Sequence, residues 1–273
     1  MLSADSITFG FRRDRPVLRE VSLAVSPGRV TALVGPNGSG KTTLLRLLAG
    51  LLSPLGGGVR LEGRPVAAWI PAERARRLAY VPQRSGVAFG YSVIDVTRFG
   101  LVEAGRGESG SAERALERVG LIDRAHEPFG HLSIGQQQRA SLARALAQIR
   151  VGSGPAVLLA DEPVSAMDPR HAVASLGLIR GLAEPGRETD RHVGVLVVLH
   201  DLSLAARFAD DAVLLDESGR IAHVGPVGDV LEPARLESVF GIGFARVEAA
   251  ETPPAIVPLG RAGPEPDRRL PGP

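Results

Sequence analysis

The sequence predicts an α/β protein in which buried parallel strands alternate with helices around a glycine-rich loop. Three observations carry this. Residues 30–34, Val-Thr-Ala-Leu-Val, read as a buried strand that runs straight into a glycine loop and then into leucines at helical spacing over 42–52. Residues 156–160 and 193–199 are two more continuous apolar runs of strand length, as parallel strands covered on both faces require. Between about 84 and 154 the chain turns rich in Ala, Glu and Arg with helical periodicity, so a helical insert interrupts the alternation.

The elements follow in order. Residues 6–11 and 20–25 alternate apolar and polar side chains and read as paired strands, with a turn at Ser26-Pro27-Gly28. After the strand–loop–helix unit, residues 59–61 form a short strand with a turn at Glu62-Gly63-Arg64. A helix is expected over 73–77, and a strand over 78–81 that ends at Pro82-Gln83. Helices are expected over 111–119 and 136–149 inside the insert, then 170–182 and 202–208 flanking the strand at 193–199. Residues 184–191 read as a polar loop. Residues 212–215 and 221–224 read as a hairpin across Glu217-Ser218-Gly219. From 249 to 273 the chain is rich in Pro, Ala and Arg and reads as a disordered tail, leaving one folded unit over 1–248.

Composition narrows the functions available. The chain has 273 residues, 44% hydrophobic, which is enough for a sizeable core. Its net charge is +2 and no basic run is dense enough to argue for nucleic acid. There is no cysteine, which removes disulfides and thiolate metal sites. Met1-Leu2-Ser3-Ala4-Asp5 lacks a charged leader followed by an apolar core, so no secretory signal is expected, and the longest apolar runs are too short to span a bilayer.

Among 32 basic residues there is one lysine, Lys41. It sits in Gly35-Pro36-Asn37-Gly38-Ser39-Gly40-Lys41-Thr42-Thr43, the phosphate-binding pattern G-x-x-x-x-G-K-[ST]. A compact ammonium on a thin stem can enter a tight glycine loop as a point charge where a forked guanidinium cannot. The glycines bring backbone N–H groups to the phosphates, and the helix N-terminus adds its dipole. The Thr42 hydroxyl suits Mg²⁺. Residues 157–163, Val-Leu-Leu-Ala-Asp-Glu-Pro, are an apolar strand ending in two carboxylates. Asp161 is placed to hold Mg²⁺, and Glu162 to act on the attacking water as general base. With Lys41 the only lysine, the Asn-Lys-x-Asp motif that reads guanine cannot exist, which favours ATP.

Residues 132–139, Leu-Ser-Ile-Gly-Gln-Gln-Gln-Arg, open the long Ala-rich helix. Ser133 and Gln136 there match a helix capping box. At this segment the chain resembles the ATP-binding cassette (ABC) family, whose signature is Leu-Ser-Gly-Gly-Gln; Ile134 replaces the first glycine. The resemblance covers roughly residues 3–245. It implies a RecA-like P-loop core with an antiparallel β subdomain and an inserted helical subdomain.

It also implies roles for residues that spacing alone does not assign. Ser133, Gly135 and Gln136 bind the γ-phosphate held by a second copy, and Asp168 in Ser165-Ala166-Met167-Asp168 faces across that dimer. Gln83 senses Mg²⁺ and the attacking water. His200 is the switch histidine that contacts the γ-phosphate, and Phe11 stacks on adenine. The other five histidines read as surface or turn residues.

The implied function is the ATP-hydrolysing subunit of a transporter, peripheral to the cytoplasmic face of the inner membrane through a permease and linked indirectly to a substrate-binding protein. Residues 76–83, 87–89 and 92–93 and the stretch 199–210 resemble importers of iron chelates, hemin and cobalamin. Trp69 before Pro71-Ala72-Glu73, and Gly154-Pro155, resemble the hemin branch. The alternatives weighed are siderophore or cobalamin import, and a non-transport ABC protein in DNA repair or translation. The latter usually has coiled-coil arms, zinc-binding cysteines or a second cassette, none of which is present. A regulatory module without turnover is disfavoured by Glu162 and His200.

Overall fold

The structure, a computed structural model, describes residues 1–12, 14–84, 90–104, 110–151, 153–184, 186–249 and 252–260. Strand β1 (Leu2–Phe9) pairs antiparallel with β2 (Leu18–Val25) on one side and β4 (Gly56–Leu61) on the other; β5 (Arg64–Pro65) closes a sheet of order β2-β1-β4-β5. The sequence reading starts β1 at residue 6, four residues late. The reason is a bulge at Ser6, whose φ is 48°. It shifts the buried positions from Leu2 and Ala4 to Ile7 and Phe9, so no single alternation runs through the strand.

The second sheet has the order β10-β9-β3-β8-β7-β6. Its strands are β3 (Val30–Val34), β6 (Leu78–Val81), β7 (Ala156–Asp161), β8 (Val193–Val198), β9 (Asp211–Leu215) and β10 (Ile221–Pro226). From β9 to β6 every pairing is parallel; β10 returns antiparallel as an edge hairpin. All residues of β3, β7 and β8 are buried, which is why these segments read as unbroken apolar runs. One face, with Leu33, Leu159, Leu196 and Val213, packs against helix α1 (Lys41–Leu48) and the antiparallel sheet. The opposite face, with Ala32, Leu158, Val195 and Leu214, packs against the later helices.

Helix α1 stops at Leu48, short of the expected residue 52, because the chain folds back and the Leu51 N–H donates to the Arg46 carbonyl at 2.9 Å. Helix α2 (Pro71–Ala75) begins two residues before the expected start, with Pro71 in the first turn where a missing N–H costs nothing. Helices α3 (Val93–Ala104), α4 (Ser111–Arg118) and α5 (Ile134–Val151) fall within the stretch 84–154 expected to be helical. Helix α6 (Pro169–Ala183) joins β7 to β8, and α7 (Leu202–Phe208) joins β8 to β9.

The segment between α6 and β8 is a loop, as expected, but not merely a polar one. Glu188 and Arg191 are buried in it. Glu188 pairs with Arg118 of α4 and, at 3.5 Å, with Arg150 of α5. Arg191 donates to the carbonyls of Gly154 (2.8 Å), Arg76 (2.8 Å), Pro155 (3.2 Å) and Ile149. A buried guanidinium satisfying carbonyls on three segments ties the edge strand β6 and the end of α5 to the start of β7.

Beyond α8 (Val227–Val230) and α9 (Pro233–Phe240), strands β11 (Phe244–Ala249) and β12 (Thr252–Pro258) form a separate antiparallel hairpin. This corrects the expectation of a disordered tail from 249. Pro-rich composition suggested a chain without a core, but Ile256 is buried against the helices of the main core. Residues 261–273 and 87–89 lie outside the described residues.

Candidate active site

Four parallel strands deliver the expected groups to one edge. Lys41 follows β3, Asp161 ends β7, His200 follows β8 and Gln83 follows β6. In open α/β sheets the carboxyl ends of the strands are where ligands bind. A cavity of about 200 Å³ lies there, bounded by Asn37, Gly38, Gly40, Lys41, Thr42, Thr43, Glu162 and His200, with Val17 from the bend before β2.

The loop 35–40 is built by its backbone. Gly40, at φ 96°, precedes the first turn of α1, and a Cβ there would meet the Leu18 side chain at 2.7 Å. Lys41 is buried, and its Nζ donates to the carbonyls of Gly35 and Pro36 at 2.8 Å each. Two of its three N–H bonds are so engaged, leaving one for an anion. Burial pushes the Lys41 ammonium below the usual lysine range, against the pull of Glu162 and Asp161. In the same loop Ser39 Oγ is buried, without a hydrogen-bond partner among the described residues.

Thr42 and Asp161 come together as expected, with Thr42 Oγ1 donating to Asp161 Oδ1 at 3.2 Å. Burial raises the Asp161 pKa above the ordinary carboxylate value, and the Thr42 bond works the other way. Among the described residues Asp161 Oδ2 is buried with no hydrogen-bond partner. Such an orphaned oxygen beside a hydroxyl fits a small hard cation that takes its remaining ligands from phosphate and water. Among the described residues no group of three or more His, Cys, Asp or Glu forms a dedicated metal cage.

Glu162 lies at the mouth of this cavity. Its backbone has φ 48°, a left-handed conformation that a non-glycine residue adopts at a cost of about 1–3 kcal/mol. That conformation holds its carboxylate between two groups from other strands. Gln83 Nε2 donates to Oε2 at 2.8 Å, and His200 Nε2 is hydrogen-bonded to Oε1.

The signature segment sits apart from this cavity. Ser133 and Gln136 form the predicted capping box: the Ser133 N–H donates to Gln136 Oε1 at 2.9 Å, and the Gln136 N–H to Ser133 Oγ at 3.3 Å. A Cβ on Gly135 would meet the Ala166 carbonyl oxygen at 2.5 Å, so this glycine is required by close backbone approach. Ile134 instead points outward and is 65% exposed, with helical backbone.

Asp168 caps α6, accepting from the His171 N–H at 3.0 Å and pairing with His171 Nδ1 at 2.6 Å. The sequence places that histidine among the surface or turn residues, and it is in part exposed. Phe11 does not line the cavity; it is 71% exposed and stacks edge-to-face on Phe9 at 5.2 Å.

Sequence reasoning gave no role to Gln138. Its side chain bonds the Glu162 carbonyl (3.3 Å), Ser165 Oγ (3.0 Å) and the Ala166 N–H (3.1 Å), and so holds the chain that follows Glu162. A glutamine on the buried face of an Ala-rich helix is the signal that could have marked it.

The ABC transporter family profile matches residues 18–165. The chain is 42% identical over 234 residues to the hemin import ATP-binding protein HmuV of Pseudomonas entomophila, covering 85% of this chain and 89% of that protein. It superposes with a TM-score of 0.76 on an inward-facing ABC transporter described as of metal-chelate type, at 25% identity, covering 95% of this chain and 98% of that one. It superposes with a TM-score of 0.71 on a dimeric, post-hydrolysis ATP-binding cassette bound to ADP and Pi, at 25% identity, covering 83% of this chain and 99% of that one.

Proposed function

The chain belongs to the ABC transporter family of ATP-hydrolysing cassettes, and from that premise we propose that it drives uptake of an iron chelate, with hemin as the cargo. The observation that carries the hydrolytic part is the Glu162 carboxylate, held by Gln83 and His200 at the mouth of the Lys41 cavity. The cargo rests on the likeness to a hemin import protein over most of both chains.

In this reading the backbone of residues 35–40 and the N-terminus of α1 cradle the ATP phosphates, and Lys41 neutralises charge between the β- and γ-phosphates. Phe11 stacks on adenine. Glu162 takes the proton of the water whose oxygen bonds to the γ-phosphorus as the bond to the β–γ bridging oxygen breaks. His200 fixes the direction of that carboxylate and meets the γ-phosphate. Thr42 and Asp161 hold Mg²⁺, with Gln83 as a further ligand. The ion supplies a positive charge that offsets the charge developing on the transferred phosphoryl group.

Ser133, Gly135, Gln136 and Asp168 complete the site on a second copy of the chain, as a dimeric cassette among the structural neighbours supports. Among the described residues no helix is long and apolar enough to cross a membrane. Attachment to the inner membrane is therefore proposed through permease subunits, with a substrate-binding protein beyond them. The division proposed is one cassette with its helical subdomain at 84–154, its C-terminal border moved past the hairpin β11–β12.

The test is reconstitution of the cassette with its permease and binding protein in lipid vesicles. Hemin should stimulate ATP hydrolysis where cobalamin and a ferric siderophore do not. Stimulation by one of those instead, with none by hemin, would reassign the cargo.

A further inference from the structure

Helix α7 has seven residues, too few to be stable alone, and it begins immediately after the His200–Asp201 pair. Asp201 caps it: Oδ1 accepts from the N–H groups of Ser203 (2.8 Å) and Leu204 (3.0 Å). The direction of His200 is therefore tied to the position of this first turn. Within that first turn, the Ser203 hydroxyl makes two bonds to a single residue of the C-terminal hairpin. It accepts from the Ile256 N–H at 3.0 Å and donates to the Ile256 carbonyl at 3.4 Å.

The geometry is specific to a hydroxyl. One edge of β12 pairs with β11, and the other has no strand partner among the described residues. Ser203 satisfies both backbone groups of that outer edge at Ile256, because a serine hydroxyl is at once donor and acceptor. Alanine would leave both groups unpaired beside a buried residue. The hairpin needs this support as much as the helix does, since an isolated two-stranded hairpin is marginal in water. Its own anchors are Ile256 in the core and Phe244, edge-on to Phe240 at 5.5 Å.

We infer that Ser203 is a positioning residue for ATP hydrolysis: through its clasp on Ile256, the hairpin β11–β12 sets the start of α7 and so the direction in which His200 meets Glu162. The inference rests on the reading of His200 as the group that orients Glu162. It assigns a job in the reaction to a C-terminal element that none of the motifs reaches.

The experiment measures ATP turnover of the full chain as wild type, Ser203→Ala, Ser203→Thr, His200→Ala and the double variant His200→Ala/Ser203→Ala. Ser203→Ala should lower kcat about tenfold, since small misplacements of a catalytic group are costly. KM for ATP should stay within about twofold, the pattern of an interaction used only in the transition state. Ser203→Thr, which keeps the hydroxyl, should restore the rate. In the His200→Ala background, Ser203→Ala should produce no further loss, because it acts through that histidine.

A wild-type kcat in Ser203→Ala alongside a slow His200→Ala overturns the clasp and leaves the histidine's role standing. Losses that multiply in the double variant, or a threonine that fails to restore the rate, overturn it too. Normal turnover in His200→Ala removes the premise and the clasp together.

Discussion

Gln83 Nε2 and Glu162 Oε2 are 2.8 Å apart, although the two residues are 79 positions apart in the chain and leave different strands of the sheet. The bond uses the amide as donor and the carboxylate oxygen as acceptor. His200 bonds the other oxygen from the opposite side. Three consecutive strands of the sheet, β6, β7 and β8, therefore converge on one carboxylate.

The lysine of the loop is held too closely to be exchanged for the other cation. Lys41 Nζ fits between two carbonyls at 2.8 Å inside a buried loop. Lys41→Arg keeps the charge but brings a planar fork that the space does not admit. Its ATP hydrolysis should fall by at least about a hundredfold, measured as phosphate release at saturating ATP. Unchanged turnover would show that charge alone suffices.

Two neighbouring residues of the signature should respond unequally to substitution. Gly135→Ala drives a Cβ into the Ala166 carbonyl and should cost about 1–3 kcal/mol of stability, read by urea denaturation. Ile134→Gly removes a side chain that is mostly in solvent and should change stability by no more than about 0.5–1 kcal/mol. A larger loss for Ile134→Gly than for Gly135→Ala would contradict the geometry of this helix start.

Much of this was legible in the sequence, and the limits have physical causes. The glycine loop, the carboxylates after the apolar strand and the capping box are local patterns, and each appears where spacing put it. The bonds from Gln83 and His200 to Glu162 join residues from three strands. No local pattern encodes such meetings; only the fold order does. Arg191 lay hidden because its loop is polar in composition, while burial of a guanidinium is decided by carbonyls far away in the chain. The hairpin β11–β12 was missed because its prolines mask the alternation, and its buried residue Ile256 depends on α7 for cover.

A buried-side acid sensitivity should trace to Asp210. Burial of its carboxyl works against ionisation. It is outweighed by Arg180, at 2.6 Å, and by the Val30 N–H, at 2.8 Å, so its pKa lies below the usual range. A carboxyl with a depressed folded pKa contributes stability that is present above its unfolded pKa, about 3.9. That contribution is lost as the pH falls from there through the folded value. Asp210→Asn should therefore destabilise the protein at pH 7 and narrow the gap to wild type as the pH falls from about 4 towards 3, followed by urea denaturation. A gap that stays constant with pH would remove this pair from the acid response.

The most direct test of the account is single-turnover and steady-state ATP hydrolysis by Glu162→Gln, with nucleotide binding measured in parallel. The substitution keeps the size of the side chain and removes its ability to accept a proton. Hydrolysis should fall by about 10²–10⁴-fold while ATP still binds with near wild-type affinity, because Lys41 and the loop 35–40 are untouched. A variant that binds ATP and turns it over at the wild-type rate would contradict the role given to the carboxylate on which the three strands converge.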